Sequence, residues 1–217
     1  MTGILFDLDG TLLNTLEDLT DATNHVLREF GFPERSLAQV RRAIGNGAAN
    51  QLRKSAPAGT PEETIEQMLA VYKPYYTAHC QIKTKPYAGI PEALTELCSR
   101  YPVAIVSNKP DAAVKELCAE YFPGIYALGE APDCPRKPAP DMVHKAMQAI
   151  GACRCIYVGD SEVDVLTAKN ADVPCLSVLW GFRDEKTLTQ SGSRYFCRKA
   201  EELPNMIEKI VGEVYGK

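Results

Sequence analysis

Long apolar runs are missing from this 217-residue chain. Its longest apolar stretches fall far short of the roughly 20 residues that a membrane helix needs, which excludes a helical membrane protein. An excess of positive charge is missing too. Lys and Arg number 24 against 28 Asp and Glu, for a net charge of −4 and a pI near 5.5, and no basic stripe departs from this, so a nucleic-acid partner held through its phosphates is excluded. No cysteine is followed six positions later by arginine, and there is no Gly-x-Ser-x-Gly elbow and no Gly-Lys-Ser/Thr phosphate loop. Cysteine-phosphatase, serine-hydrolase and nucleotide-loop chemistry are therefore excluded. The three histidines, His25, His79 and His144, fall within helical patterns and read as packing or surface residues rather than ligands. Eight cysteines are present but scattered, with no Cys-x-x-Cys pair. Cys98 and Cys118 fall on apolar faces of predicted helices and Cys155 and Cys175 in predicted strands, a pattern of buried free thiols rather than of a disulfide framework. Asp7 also arrives too early for a secretory apolar segment, so the expected location is cytoplasmic.

What is there is ordinary in bulk, with 45% apolar and 24% charged residues, enough for one sizeable core and a small accessory domain. The informative segment is short. Phe6-Asp7-Leu8-Asp9-Gly10-Thr11-Leu12 follows the apolar run Ile4-Leu5-Phe6, so two acids one residue apart stand where a buried strand runs out into a turn. Residues i and i+2 of a strand share a face; Gly10 lets the backbone swing away, leaving one carboxylate at the strand tip and the other displaced from it. That arrangement suits a nucleophile and its proton donor around one metal ion. A calcium loop has its glycine sixth, after acids at the first, third and fifth positions; here glycine is fourth.

Three further segments follow in order. Val103-Ala104-Ile105-Val106 ends in Ser107-Asn108-Lys109; Lys137-Pro138-Ala139-Pro140-Asp141 carries a lysine; Ile156-Tyr157-Val158 runs into Gly159-Asp160-Ser161-Glu162-Val163-Asp164. With the first motif, this succession resembles the four motifs of the haloacid dehalogenase superfamily of aspartyl-phosphate phosphotransferases. The resemblance spans Asp7 to Asp164. It implies Asp7 as nucleophile and Asp9 as the proton donor that later deprotonates water, with Lys137 offsetting the carboxylates. Ser107 and Asn108, together with Gly10 and Thr11, would bind the phosphoryl group. Mg2+ would be held by the Asp7 carboxylate, the Asp9 backbone carbonyl and Asp160, with Asp164 behind them or as an extra ligand. Lys109 either approaches the phosphate or substrate, or caps the strand end.

The ninety residues between the first strand and Val103 are helical in pattern. Leu16, Leu19, Thr23, Val26, Leu27 and Phe30 form one stripe, and Ile65, Met68, Leu69, Tyr72, Tyr76 and His79 another, with a bend expected at Pro74. Shorter helices are expected over 36–44 and 48–55. The resemblance makes this insert a helical cap, residues 14–83, on an α/β core of residues 1–13 and 84–217. Beyond Pro86, strand and helix patterns alternate, which predicts a doubly wound parallel sheet with functional residues at its carboxyl ends.

The cap and the phrases Pro86-Tyr87-Ala88-Gly89-Ile90-Pro91, Ser107-Asn108-Lys109-Pro110 and Trp180-Gly181-Phe182 are similar to the phosphoglycolate phosphatase group. Asn14-Thr15, where many relatives carry Asp-Ser, and Cys134-Pro135-Arg136 before the lysine depart from it. Arg41, Arg42 and Gly45-Asn46-Gly47 form either a loop over the site, reading a short carboxylate, or a helix stop with solvated arginines. The expected function is a magnesium-dependent phosphomonoesterase acting on a small phosphorylated metabolite, phosphoglycolate first, as a monomer or homodimer. The alternatives are a phosphosugar mutase or pyrophosphatase of the same superfamily, or a non-catalytic phosphate-binding protein.

Overall fold

Strand β1 (Thr2–Phe6) is buried at every position, the signature of a strand covered on both faces. Along the chain follow β2 (Leu13–Asn14), helices α1 (Leu16–Glu29), α2 (Leu37–Ala43), α3 (Gly47–Ser55) and α4 (Glu62–His79), then β3 (Lys85–Pro86), α5 (Ile90–Arg100), β4 (Val103–Pro110) and α6 (Asp111–Tyr121). The chain continues through β5 (Tyr126–Glu130), α7 (Asp141–Ala149), β6 (Arg154–Gly159), α8 (Glu162–Asn170), β7 (Cys175–Val178), α9 (Glu185–Gln190), β8 (Tyr195–Cys197) and α10 (Leu203–Tyr215). This computed structural model describes residues 1–216.

Six strands form one parallel sheet in the order β5-β4-β1-β6-β7-β8. Alternate side chains leave opposite faces, and the core divides accordingly. Ile4, Phe6, Ile105, Ile156 and Val158 pack on one face; Leu5, Ala104, Val106, Cys155 and Tyr157 pack on the other with Met142, Val143 and Ala146 of α7. Phe6 pairs with both Ile105 and Val158. That register sets Ser107 within β4 close to the level of Asp7 after β1 and Asp160 after β6, so the three meet at one edge.

Helices α1–α4 lie between β2 and β3, and those two short strands pair antiparallel, Leu13 with Pro86, where the chain leaves the sheet and returns to it. Helix α4 runs through Pro74 without a break, because the ring forfeits only one hydrogen bond and the buried stripe Ile65, Met68, Tyr72 and Tyr76 continues past it. Two other expectations need correction. Strand β4 does not stop at Val106 but extends to Pro110, so Ser107, Asn108 and Lys109 belong to the strand itself. Cys98 and Cys153 are exposed and Cys175 is half-buried; Cys98 follows the last buried residue of α5, Leu97, and lies at the edge of its apolar stripe.

Candidate active site

Asp7 continues β1 and donates its N–H to Val158 O at 2.8 Å, so the neighbouring strand fixes the backbone from which its carboxylate projects. After Leu8 and Asp9 the chain turns at Gly10, whose φ of +87° is left-handed. A side chain there would collide with the Asp160 carboxylate, and one at Gly181 would collide with the same group. Asp160 is thus enclosed by two glycines. Its Oδ2 accepts from Phe182 N at 2.5 Å and its Oδ1 from the Thr11 hydroxyl at 3.4 Å.

Lys137 is the hub of the polar site. Its buried Nζ donates to Asp7 Oδ1 at 2.7 Å, to Asp164 Oδ1 at 2.9 Å and to the Tyr157 hydroxyl at 2.9 Å. Its backbone is gripped by Asn108, which accepts from Lys137 N at 2.8 Å and donates to Lys137 O at 2.9 Å. Asp164 also accepts, through Oδ2, from Ser161 Oγ at 2.6 Å and from the backbone N–H groups of Ser161 at 3.0 Å and Asp160 at 3.2 Å. It sits in the first turn of α8, where the helix dipole favours a negative charge.

Three carboxylates, those of Asp7, Asp160 and Asp164, bring oxygens within 4.8 Å of one another, all buried, against the single ammonium of Lys137. Burial, then Asp164, pushes Asp7 from 3.8 up to about 7 despite Lys137. Burial, then Asp164 and Asp7, raises Asp160 well above the carboxylate range. Burial opposes the charge on Lys137, but Asp164 and Asp7 outweigh it and hold the ammonium above its usual value. The net charge deficit and an all-oxygen donor set without Cys or His fit a hard divalent cation.

One cavity joins these groups to the helical insert. Asp7, Asp9, Ser107, Asn108, Lys109, Lys137 and Asp160 line its floor, and Leu19, Ile44, Ala48, Gln51, Tyr72 and Tyr76 its roof. Asp9 Oδ1 lies 2.7 Å from the buried Lys109 Nζ. Gly10 and Thr11 stand beside Asp160 rather than at the cavity wall. The arginines expected over the site are elsewhere. Arg41 donates to Phe182 O at 3.0 Å and Gly181 O at 2.5 Å, and Arg42 lines a separate cleft with Arg35 and Lys54. Asn46 precedes α3, flanked by the wall residues Gly45 and Gly47 without being one itself. Arg41 and Arg42 belong to α2, whose buried residues are Val40 and Ala43, and neither lines the cavity, although Arg41 reaches the backbone of its wall residue Phe182.

Sequence reasoning missed Arg183, the return half of this contact. It donates to Arg41 O at 3.1 Å and Ile44 O at 2.7 Å and pairs with Glu162 at 2.7 Å. Its place directly after Trp180-Gly181-Phe182 was the available signal. Tyr157 and the stacked pair Tyr72–Tyr76, with ring centroids 5.5 Å apart, were legible only as core residues.

The doubly wound sheet carries its buried centre of Asp7, Asp160, Asp164 and Lys137 at the carboxyl edge, where such sheets bind their ligands, roofed by an inserted helical bundle. The model of the haloacid dehalogenase-like hydrolase family matches residues 4–178, and the chain belongs to that family. It is 32% identical to the phosphoglycolate phosphatase of Cereibacter sphaeroides, covering 97% of this chain and 100% of that protein. It is 31% identical to the pyrophosphatase PpaX of Halalkalibacterium halodurans, covering 94% and 95% respectively. Among solved structures, a Lactobacillus delbrueckii protein proposed as a phosphoglycolate phosphatase superposes with a TM-score of 0.90 at 34% identity, covering 95% of this chain and 98% of that one.

Proposed function

We propose that the protein is a magnesium-dependent phosphomonoesterase for a small phosphorylated metabolite, phosphoglycolate first, working through a phosphorylated Asp7. The observation that carries this reading is the convergence of Asp7, Asp9, Ser107, Lys137 and Asp160 on one cavity. Phosphoryl transfer needs positioning and charge neutralisation more than covalent chemistry, and these groups supply both. Asp7 would attack phosphorus while Asp9 gives a proton to the departing oxygen; Asp9 would then take a proton from the water that hydrolyses the acyl phosphate.

Asp7, the Asp9 carbonyl and Asp160 would hold the magnesium, which would neutralise carboxylate and phosphoryl charge. Asp164 accepts from five donors, which supports a role in orienting Lys137 and the 160–161 turn rather than direct ligation. Ser107 would bind a phosphoryl oxygen, and Asn108 would position Lys137. Residues 14–83 would act as the cap that closes the cavity from water, on a core of residues 1–13 and 84–217, in a cytoplasmic protein.

The likeness to PpaX favours pyrophosphate as a second reading. Hydrolysis of phosphoglycolate, pyrophosphate, sugar phosphates and an aryl phosphate, with magnesium and with chelator, tests the proposal. Metal-dependent turnover of phosphoglycolate above the others is expected. Turnover that ignores the metal, or persists in Asp7→Asn, would refute it.

A further inference from the structure

With neither Arg41 nor Arg42 on the cavity wall, recognition of the leaving half of the substrate must come from another group. The cations on the cavity wall are Lys109, Lys137 and Arg183. Lys137 is committed to Asp7 and Asp164, and Arg183 to Glu162 and to carbonyls of the 41–44 segment. Lys109 is different. Its Nζ stands 2.7 Å from Asp9 Oδ1, yet that buried oxygen has no aligned hydrogen-bond donor among the described residues.

From the roof, the Tyr76 hydroxyl holds the same ammonium by a hydrogen bond, and the Tyr76 ring lies with its centroid 4.4 Å from Nζ. Tyr76 in turn stacks on Tyr72. Leu19, Ile44 and Ala48, with Gln51 as the one amide, complete this largely apolar wall, so an anion brought here meets the Lys109 ammonium beside Asp9 in a medium of low dielectric, where the attraction is strong.

The order of the groups then reads the substrate from phosphorus outward. On the phosphatase reading phosphorus would face Asp7 and the departing oxygen Asp9, so the next atoms of the leaving group would fall beside Lys109, whose Nζ is 2.7 Å from Asp9. Resting on the phosphatase reading above, we infer that Lys109, oriented by Tyr76, recognises the leaving group, and that the substrate class is a phosphate ester or anhydride with a negative charge close to the departing oxygen. A carboxylate on the adjacent carbon and a second phosphoryl group both meet that description; a sugar hydroxyl does not. Lys109 thereby selects among substrates, and Tyr76 is a positioning residue that keeps the ammonium on the substrate side of Asp9.

The test compares kcat/KM for phosphoglycolate and pyrophosphate, whose leaving groups carry an anionic group besides the departing oxygen, with that for ethyl phosphate and propyl phosphate, whose leaving groups carry none, in the full-length wild type and in Lys109→Met, Lys109→Arg and Tyr76→Phe. The readout is the ratio of substrates with a charged leaving group to those without one, which cancels any loss common to both. Removing one partner of a desolvated charge pair should lower that ratio at least about thirtyfold in Lys109→Met. Lys109→Arg should restore most of it, and Tyr76→Phe should lower it by about threefold through KM. An equal loss for both substrate types would make Lys109 a mere support for Asp9 and overturn the inference, as would a wild type that prefers ethyl phosphate. Failure of the wild type to hydrolyse any of the four with magnesium is a different result: it refutes the phosphatase reading and this inference with it.

Discussion

Metal-free protein should lose stability as the pH rises through neutrality, and magnesium should abolish the loss. The Asp7 carboxyl titrates at 3.8 when exposed and is pushed up to about 7 by burial and by Asp164. Between those values the native state keeps a proton that the unfolded chain releases, so stability is greatest below the unfolded value and falls as pH climbs through the folded one. The span corresponds to about 4 kcal/mol from Asp7, and Asp160, raised for the same reasons, acts in the same direction. Between pH 5 and pH 8 about 3 kcal/mol of this is lost, and in a protein of this size each kcal/mol moves Tm by about 2–4 °C, so a drop of about 5–10 °C is expected in chelator. A cation among the three carboxylates favours their charged forms, so saturating magnesium should raise Tm little at pH 5 and most at pH 8. Asp7→Asn removes one titrating group and should flatten the chelator profile. Scanning calorimetry at both pH values, with and without metal, measures all of this. A metal-free wild type that melts as high at pH 8 as at pH 5, or an Asp7→Asn profile as steep as wild type, would refute the reasoning.

Asp9→Asn should collapse turnover of alkyl phosphates while sparing the first half-reaction of an aryl phosphate, whose leaving group needs less protonation; stopped-flow release of the aryl alcohol against steady-state alkyl turnover checks it. Asn108→Ala removes both hydrogen bonds that fix the Lys137 backbone and should cost about 1–3 kcal/mol in urea unfolding together with a fall in kcat. Arg183→Ala breaks the reciprocal contact between the 41–44 segment and the 181–183 loop. It should increase proteolytic cleavage within α1–α4 in the absence of substrate, and unchanged cleavage would deny that contact any part in holding the roof down. Gly181→Ala would drive a methyl into Asp160 and should weaken magnesium-induced thermal stabilisation.

The legible part of the site is the part carried by single strands. Asp7, Ser107 and Asp160 each end an apolar run, so alternation and breakers located them without knowledge of the sheet. Their meeting depends only on parallel register. Residues whose role depends on another segment were not legible in the same way. Tyr76 read as one more member of the α4 stripe, and only the return of β4 beneath α4 shows its hydroxyl on Lys109. Arg41 and Arg42 read as either substrate partners or solvated arginines at a helix stop because adjacent basic residues before a glycine turn say nothing of the helix face they occupy; in the fold both lie in the last turn of α2 and Arg41 bonds backbone carbonyls of the 181–182 loop. Strands β2 and β3, two residues each, are too short to have a period, and β8 with α9 and α10 followed the last motif, where no anchor fixed the reading.

The central claim is that phosphate is transferred to Asp7. Asp9→Asn, mixed with an aryl phosphate and magnesium and quenched in acid, should trap the acyl phosphate because hydrolysis of the intermediate lacks its base. Peptide mass spectrometry of the quenched protein should find one phosphoryl group on the segment containing Asp7. Release of the aryl alcohol with no phosphorylated peptide, or with the phosphoryl group on any other residue, would contradict the account.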